Sequence, residues 1–181
     1  MNNRRSFIVG IKSTKLSSKE KNFIKRYRPW GIILFTRNIK NIQQTQKLTS
    51  EIRKIFNDKK YPILIDQEGG RVNRLKNLIS FDNLTSEFFG KKFIKNYLEF
   101  TTYYNLFIDK TSYLLRLIGV NINTCPVLDL KIKGSSNIIG DRSFSRNPKI
   151  VSKIGDICIN LFHKNGIGTV LKHIPGHGLA K

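Results

Sequence analysis

The chain's 181 residues, 39% of them hydrophobic, can bury one core and predict a single domain over residues 1–181, and no apolar run nears the ~20 residues of a membrane span. Its 33 Lys and Arg against 12 Asp and Glu give a formal net charge of +21, but they are scattered, with no basic stripe, interleaved aromatics or motif of a specific nucleic-acid binder. Cys125 and Cys158 make no disulfide framework, which points to a reducing, cytoplasmic setting, and the apolar stretch behind Arg4 and Arg5 is shorter than the roughly 7–15 residues of a signal-peptide core.

Apolar runs of strand length alternate with helical patterns along the chain, the sign of parallel βαβ construction. Ser6 to Ile11 reads as the first strand. Ser17 and Glu20 then stand at the spacing of a capping box that opens a helix. Gly31 to Phe35 is a continuous apolar run suited to a strand buried on both faces. Ile42, Leu48, Ile52, Ile55 and Phe56 recur at helical spacing over 42–56. Pro62 to Ile65 is the third strand and ends in Asp66. The aromatic stretch from Asn77 to Asn96 predicts loop and a short helix, and Leu98 to Leu117 a long one. Val120 to Asn123 is the fourth strand, followed by Pro126 to Asp129 and a polar loop over Lys133 to Asn147. Pro148 fits the first turn of a helix reaching Lys164, Gly166 suits its stop, and Thr169 to His173 is the fifth strand.

In a parallel α/β sheet or barrel, functional groups collect at the carboxyl ends of the strands. Three polar clusters fall there: Asp66-Gln67-Glu68-Gly69-Gly70-Arg71, Gly140-Asp141-Arg142-Ser143-Phe144, and Lys172-His173. Right-handed crossovers bring those ends to one face. Carboxylates accept from hydroxyls while Arg and Lys donate, so the set suits a polyhydroxylated ligand. Each residue also has a plainer reading. Asp66 can cap the next element, Gly69-Gly70 can be a tight turn, and Asp141-Arg142 can be a surface ion pair. His173 and His177 are four apart, but Pro175 and Gly176 between them exclude a regular helical zinc pair, and no third ligand is evident. Neither metal nor cofactor is expected. Lys172 could also serve as a Schiff-base lysine, and His163 reads as solvated surface.

The strings GIILFTRN (Gly31 to Asn38), DQEGGRVNR (Asp66 to Arg74), PVLDL (Pro126 to Leu130), IGDRSFSRNP (Ile139 to Pro148) and KHIPGHG (Lys172 to Gly178) stand in one order. Together they resemble glycoside hydrolase family 3, in its bacterial β-N-acetylglucosaminidase branch, over nearly all of the chain. The resemblance implies a TIM-like (β/α) barrel, of which only about the first five βα units are present where a closed barrel has eight. It also implies a β-N-acetylhexosaminidase lineage, removing terminal N-acetylglucosamine from cell-wall fragments with retention. Asp66, Arg74, Arg142, Lys172 and His173 are then the residues that hold the N-acetylglucosamine unit.

Members of that family carry an Asp-Ser-His loop soon after the Pro-Gly-His-Gly turn and a nucleophilic aspartate later. Here Gly178 is followed by Leu179, Ala180 and Lys181, so no catalytic residue is expected in this chain. Retaining glycosidases need both groups, which makes the chain inactive alone by expectation. It is then the product of a split or truncated gene, a fragment of a longer sequence, a sugar-binding remnant or subunit, or a half-barrel that a partner chain completes. Two smaller departures, Thr124-Cys125 before Pro126 in place of Phe-Ala and Ile174 in place of Phe, read as packing changes.

Overall fold

The computed structural model describes residues 4–134 and 137–178. Five strands form one parallel sheet in the order β1-β2-β3-β4-β5: Arg5–Gly10, Pro29–Leu34, Ile63–Ile65, Ile122–Asn123 and Gly168–Thr169. Five helices lie between them: α1 Ser18–Tyr27, α2 Ile42–Phe56, α3 Ser86–Lys95, α4 Tyr97–Leu117 and α5 Pro148–Lys164. Each strand pairs with the next in sequence, as in a TIM-barrel-like wall, whereas a doubly wound sheet reverses its order part way.

The helix ends carry the local chemistry that their sequences predict. Ser17 Oγ accepts from the Glu20 amide, and the Glu20 carboxylate accepts from the Ser17 amide, which completes the capping box of α1. Asn41, Thr85, Asn96 and Asn147 cap α2, α3, α4 and α5 by the same logic. The fifth strand corrects the sequence expectation. It spans only Gly168–Thr169, and Lys172 rejoins the sheet direction through an isolated parallel bridge to Val127. Val170 and Leu171 between them are exposed, because an edge segment with one neighbour has nothing to hold a longer ladder. Ser135 and Ser136 of the expected polar loop lie outside the described residues, as do Met1 to Asn3 and Leu179 to Lys181.

One core runs the length of the sheet. An aromatic chain links α3, α4 and the loop before α5: Phe89 meets Tyr104 edge-on at 4.7 Å, and Tyr104 meets Phe144 edge-on at 6.3 Å. Such pairs add roughly 0.5–1.5 kcal/mol to simple area burial. Gly90 lets α3 approach that loop closely, since a Cβ there would sit 1.7 Å from the Phe144 carbonyl oxygen. This contact seats the segment that carries Arg142.

The two outer strands differ from the middle of the sheet. Beside β1 lies an apolar groove of about 420 Å³ lined by Val9, Ile11, Phe23 and Ile24. Beside β5 lies one of about 410 Å³ lined by Leu128, Val151, Ile159 and Leu171. Among the described residues, nothing covers either.

Candidate active-site pocket

The segment after β3 is fastened before any charge is placed. Asn123, at the end of β4, accepts from the Gln67 amide (2.9 Å) and donates to the Gln67 carbonyl (2.9 Å). The Gln67 side-chain oxygen then accepts from the amides of Arg74 (2.8 Å) and Leu75 (3.1 Å), closing the loop on itself. Gly69, at φ +89°, makes the reversal, and a Cβ there would lie 2.3 Å from the Leu84 carbonyl oxygen. Asp66, Glu68 and Arg74 are thereby held at the carboxyl end of β3.

Lys172 sits at the centre of the charges, its side chain 13% exposed. Its Nζ lies 2.6 Å from Glu68 Oε1, 2.9 Å from Asp66 Oδ1 and 3.3 Å from Thr124 Oγ1, so each ammonium N–H has an acceptor. Arg142 grips Glu68 with two parallel bonds, Nε to Oε2 at 2.7 Å and Nη2 to Oε1 at 2.9 Å. Arg74 Nη2 stands 3.7 Å from Asp66 Oδ2. Burial raises the Asp66 pKa, but the Thr124 hydroxyl, Lys172 and Arg74 outweigh it and leave the carboxyl below its ordinary value. Burial lowers the Lys172 pKa, and the negative groups around it, the Glu68 and Asp66 carboxylates among them, raise it above the ordinary lysine value. The Glu68 bond pair raises that of Arg142.

A second carboxylate organises the rim. The Asp129 side chain is 2% exposed, and its Oδ2 takes the His173 amide (3.2 Å) and ring Nδ1 (2.6 Å). Its Oδ1 takes the His177 amide at 2.6 Å. Against a carboxylate Nδ1 carries the proton, which leaves Nε2 as the second ring position. Burial raises the Asp129 pKa, but the His177 amide and His173 reverse the sign and hold it below the ordinary value. The Ser143 hydroxyl donates to the Asp129 carbonyl at 2.6 Å, which ties the Arg142 loop to the same point.

All five residues expected from the sequence converge. Asp66, Arg74 and Lys172 meet directly, Arg142 joins them through Glu68, and His173 adjoins Lys172 and rests on Asp129. The plainer reading of Asp141-Arg142 as a surface ion pair does not hold: Asp141 bonds Arg71 at 2.9 Å, and Arg142 is turned inward to Glu68. His163 is exposed, as expected, with Nε2 2.9 Å from Thr169 Oγ1. Glu68, Asp129 and Thr124 belong to the network but were not among the expected binding residues. A signal for the two acids existed: with 12 acids in the whole chain, each one just past a strand is informative. Thr124 carried no such signal, and its hydroxyl is bonded to Asp66 where a packing change was expected. Among the described residues no three His, Cys, Asp or Glu side chains are grouped to hold a metal ion.

The pocket therefore offers Asp66 Oδ2 as an acceptor and the unengaged N–H groups of Arg74 and Arg142 as donors, a mixture suited to hydroxyl and amide groups. Residues 6–181 match the model of the glycosyl hydrolase family 3 N terminal domain. A β-hexosaminidase from Hydrogenovibrio crunogenus is 36% identical over 171 residues, covering 94% of this chain and 47% of the relative. One from Thioalkalivibrio sulfidiphilus is 32% identical over 172 residues, covering 94% of this chain and 48% of the relative. Native NagZ from Neisseria gonorrhoeae superposes with a TM-score of 0.86 at 31% identity, over 97% of this chain and 50% of that one. NagZ from the same organism in complex with N-trifluoroacetyl-D-glucosamine gives 0.81 at 30% identity, over 97% and 51%. The chain thus spans about half the length of the relatives it matches. With the family model matched from residue 6 to residue 181, the chain belongs to glycosyl hydrolase family 3 and is similar to the N-terminal part of its β-hexosaminidases.

Proposed function

We propose that this chain forms the sugar-binding half of a β-N-acetylhexosaminidase that removes terminal N-acetylglucosamine from peptidoglycan fragments, with retention, in the cytoplasm. The observation that carries this reading is the closed Asp66–Lys172–Glu68–Arg142 network at one end of the sheet. Asp66 accepts from sugar hydroxyls through Oδ2, Arg142 and Arg74 donate, and His173 adds Nε2. Lys172 reaches a sugar hydroxyl by releasing Thr124, its longest contact at 3.3 Å. The ligand of the Neisseria gonorrhoeae NagZ complex, an N-acylated glucosamine, supports that class of sugar. The buried free thiols of Cys125 and Cys158 fit a reducing compartment, and burial pushes the Cys158 thiol up to about 12.

Binding and turnover separate in this chain. A retaining mechanism needs a nucleophilic carboxylate and a proton donor on opposite sides of the scissile bond. Both Asp129 oxygens are taken by the His173 and His177 donors and Asp66 Oδ1 by Thr124 and Lys172, an arrangement that favours the carboxylate form of each over a proton donor. Glu68 has both oxygens in the Arg142 clamp. The 181 residues then bind the sugar without cleaving its bond. The five βα units are the first part of a barrel, and further polypeptide against the outer sides of β1 and β5, in this protein or in a partner, supplies its remaining strands and the reacting groups.

The test has two arms on the pure 181-residue protein. Calorimetric titration with N-acetylglucosamine is expected to show binding that Asp66→Ala or Arg142→Ala weakens by about a hundredfold, the loss of charge-assisted bonds of roughly 1.5–3 kcal/mol each. A chromogenic N-acetylglucosaminide is expected to stay intact. Robust turnover would refute the separation of roles, and affinity indifferent to both substitutions would refute the pocket.

A further inference from the structure

We infer that Thr124 is a positioning residue that aims the Asp66 carboxylate at the ligand; this extends the sugar-binding reading above to a residue outside the expected set. Thr124 follows β4, is 8% exposed, and donates its amide to the Ile65 carbonyl at 2.8 Å, which fixes it against the residue preceding Asp66. Its hydroxyl lies between Asp66 Oδ1, to which it donates, and Lys172 Nζ, from which it accepts at 3.3 Å.

The consequence is an asymmetry within one carboxylate. Oδ1 receives both the Thr124 hydroxyl and the Lys172 ammonium, the latter at 2.9 Å. Among the described residues, Oδ2 has only the Arg74 guanidinium as a charged partner, at 3.7 Å and beyond hydrogen-bond range. One oxygen is consumed by the protein and the other is left to accept from a ligand. The torsion that exchanges them is broad and roughly two-fold in a free aspartate, so it needs a lock. Lys172 alone is a poor lock, because Glu68 draws it from the other side at 2.6 Å. Thr124 donates from a backbone-anchored side chain that Glu68 cannot draw away. When a sugar hydroxyl takes the Lys172 N–H that Thr124 had accepted, the Thr124 hydroxyl goes on donating to Oδ1 and Asp66 keeps its aim.

A merely structural Thr124 would satisfy the Ile65 carbonyl, which its hydroxyl also approaches at 3.3 Å, and would leave Asp66 indifferent to it. The experiment compares the full chain with Thr124→Val, which keeps the shape, and Thr124→Ser, which keeps the hydroxyl. Carbon NMR of the Asp66 carboxyl, assigned by its loss in Asp66→Asn, reads the titration without any sugar. Calorimetry with N-acetylglucosamine reads the affinity. Thr124→Val is expected to move the Asp66 midpoint upward and to weaken binding about tenfold, the loss of one hydrogen bond to a charged group, while Thr124→Ser restores both. An unmoved midpoint or an unchanged affinity in Thr124→Val overturns the inference. If the wild type fails to bind the sugar while the midpoint still moves and Ser restores it, the sugar reading falls and the hold of Thr124 on Asp66 stands. Should circular dichroism show Thr124→Val unfolded, Thr124→Ala carries the same comparison.

Discussion

The pocket and the flanks of this sheet are built on opposite terms. At the carboxyl ends of β3, β4 and β5, charged and polar groups are matched: Lys172 by Asp66 and Glu68, Arg142 by Glu68, and the His173 ring by Asp129. At the two edges, β1 and the segment just after β5 present apolar side chains to solvent, with Ile8 45% and Val170 41% exposed. Among the described residues, the pocket's ion pairs all join residues within 66–177, whereas each edge strand has a single neighbour. Charge pairing is a short-range requirement that five strands can satisfy. Edge pairing and apolar burial are requirements of the whole sheet, and only further strands meet them.

The strongest way to break this comparison is to remove the acid that the pocket shares with its rim. Asp129→Ala leaves the His173 and His177 amides and the His173 ring without their acceptor. It is expected to cost about 1–3 kcal/mol in urea unfolding, the range for leaving a buried hydrogen-bonding group unsatisfied. A cost near that of an ordinary surface change would mean that the rim is held by the backbone alone.

Acid titration probes the same region more gently. Asp66 and Asp129 have folded-state values below the ordinary 3.8. The unfolded chain therefore binds their protons first as pH falls. Their contribution to stability is fully present above the ordinary value and is lost as pH drops through the lowered folded ones. Thermal melting from pH 7 down to pH 2 should show the wild type losing more stability below about pH 4 than Asp129→Ala, which has one fewer such group. Parallel curves for the two proteins would contradict this account.

The smallest effect on folding is expected at the flanks. Ile8→Lys and Val170→Lys replace exposed apolar groups and should change unfolding free energy by within about 0.5 kcal/mol. Light scattering at raised concentration should show less self-association, since an edge lysine opposes strand pairing. Sugar affinity is expected to be untouched. Stability losses of several kcal/mol would show that the flanks are already satisfied by the five strands, and would undo the contrast with the pocket.

Much of this was legible in the residues themselves. The capping box at Ser17 and Glu20, the helix over 42–56 and the strand just before Asp66 depend on neighbours within a few positions, where propensity and spacing act directly. The gathering of Asp66, Arg142 and Lys172 at one end follows from parallel strands and crossovers of one hand, a rule of topology. Partner choice was not legible. Arg142 stands beside Asp141 in sequence and yet bonds Glu68, 74 positions away, because the contact of Gly90 with the Phe144 backbone seats the loop where the buried acid is the nearer partner. The same holds for Thr124, whose hydroxyl acquires a role only once β4 is laid beside β3. Sequence by itself thus determined the elements, their order and the end of the sheet where the polar groups collect. Only the tertiary structure decided which charge pairs with which and where the fifth strand stops, since a hydrogen bond is settled by distances of about 3 Å between residues far apart in the chain.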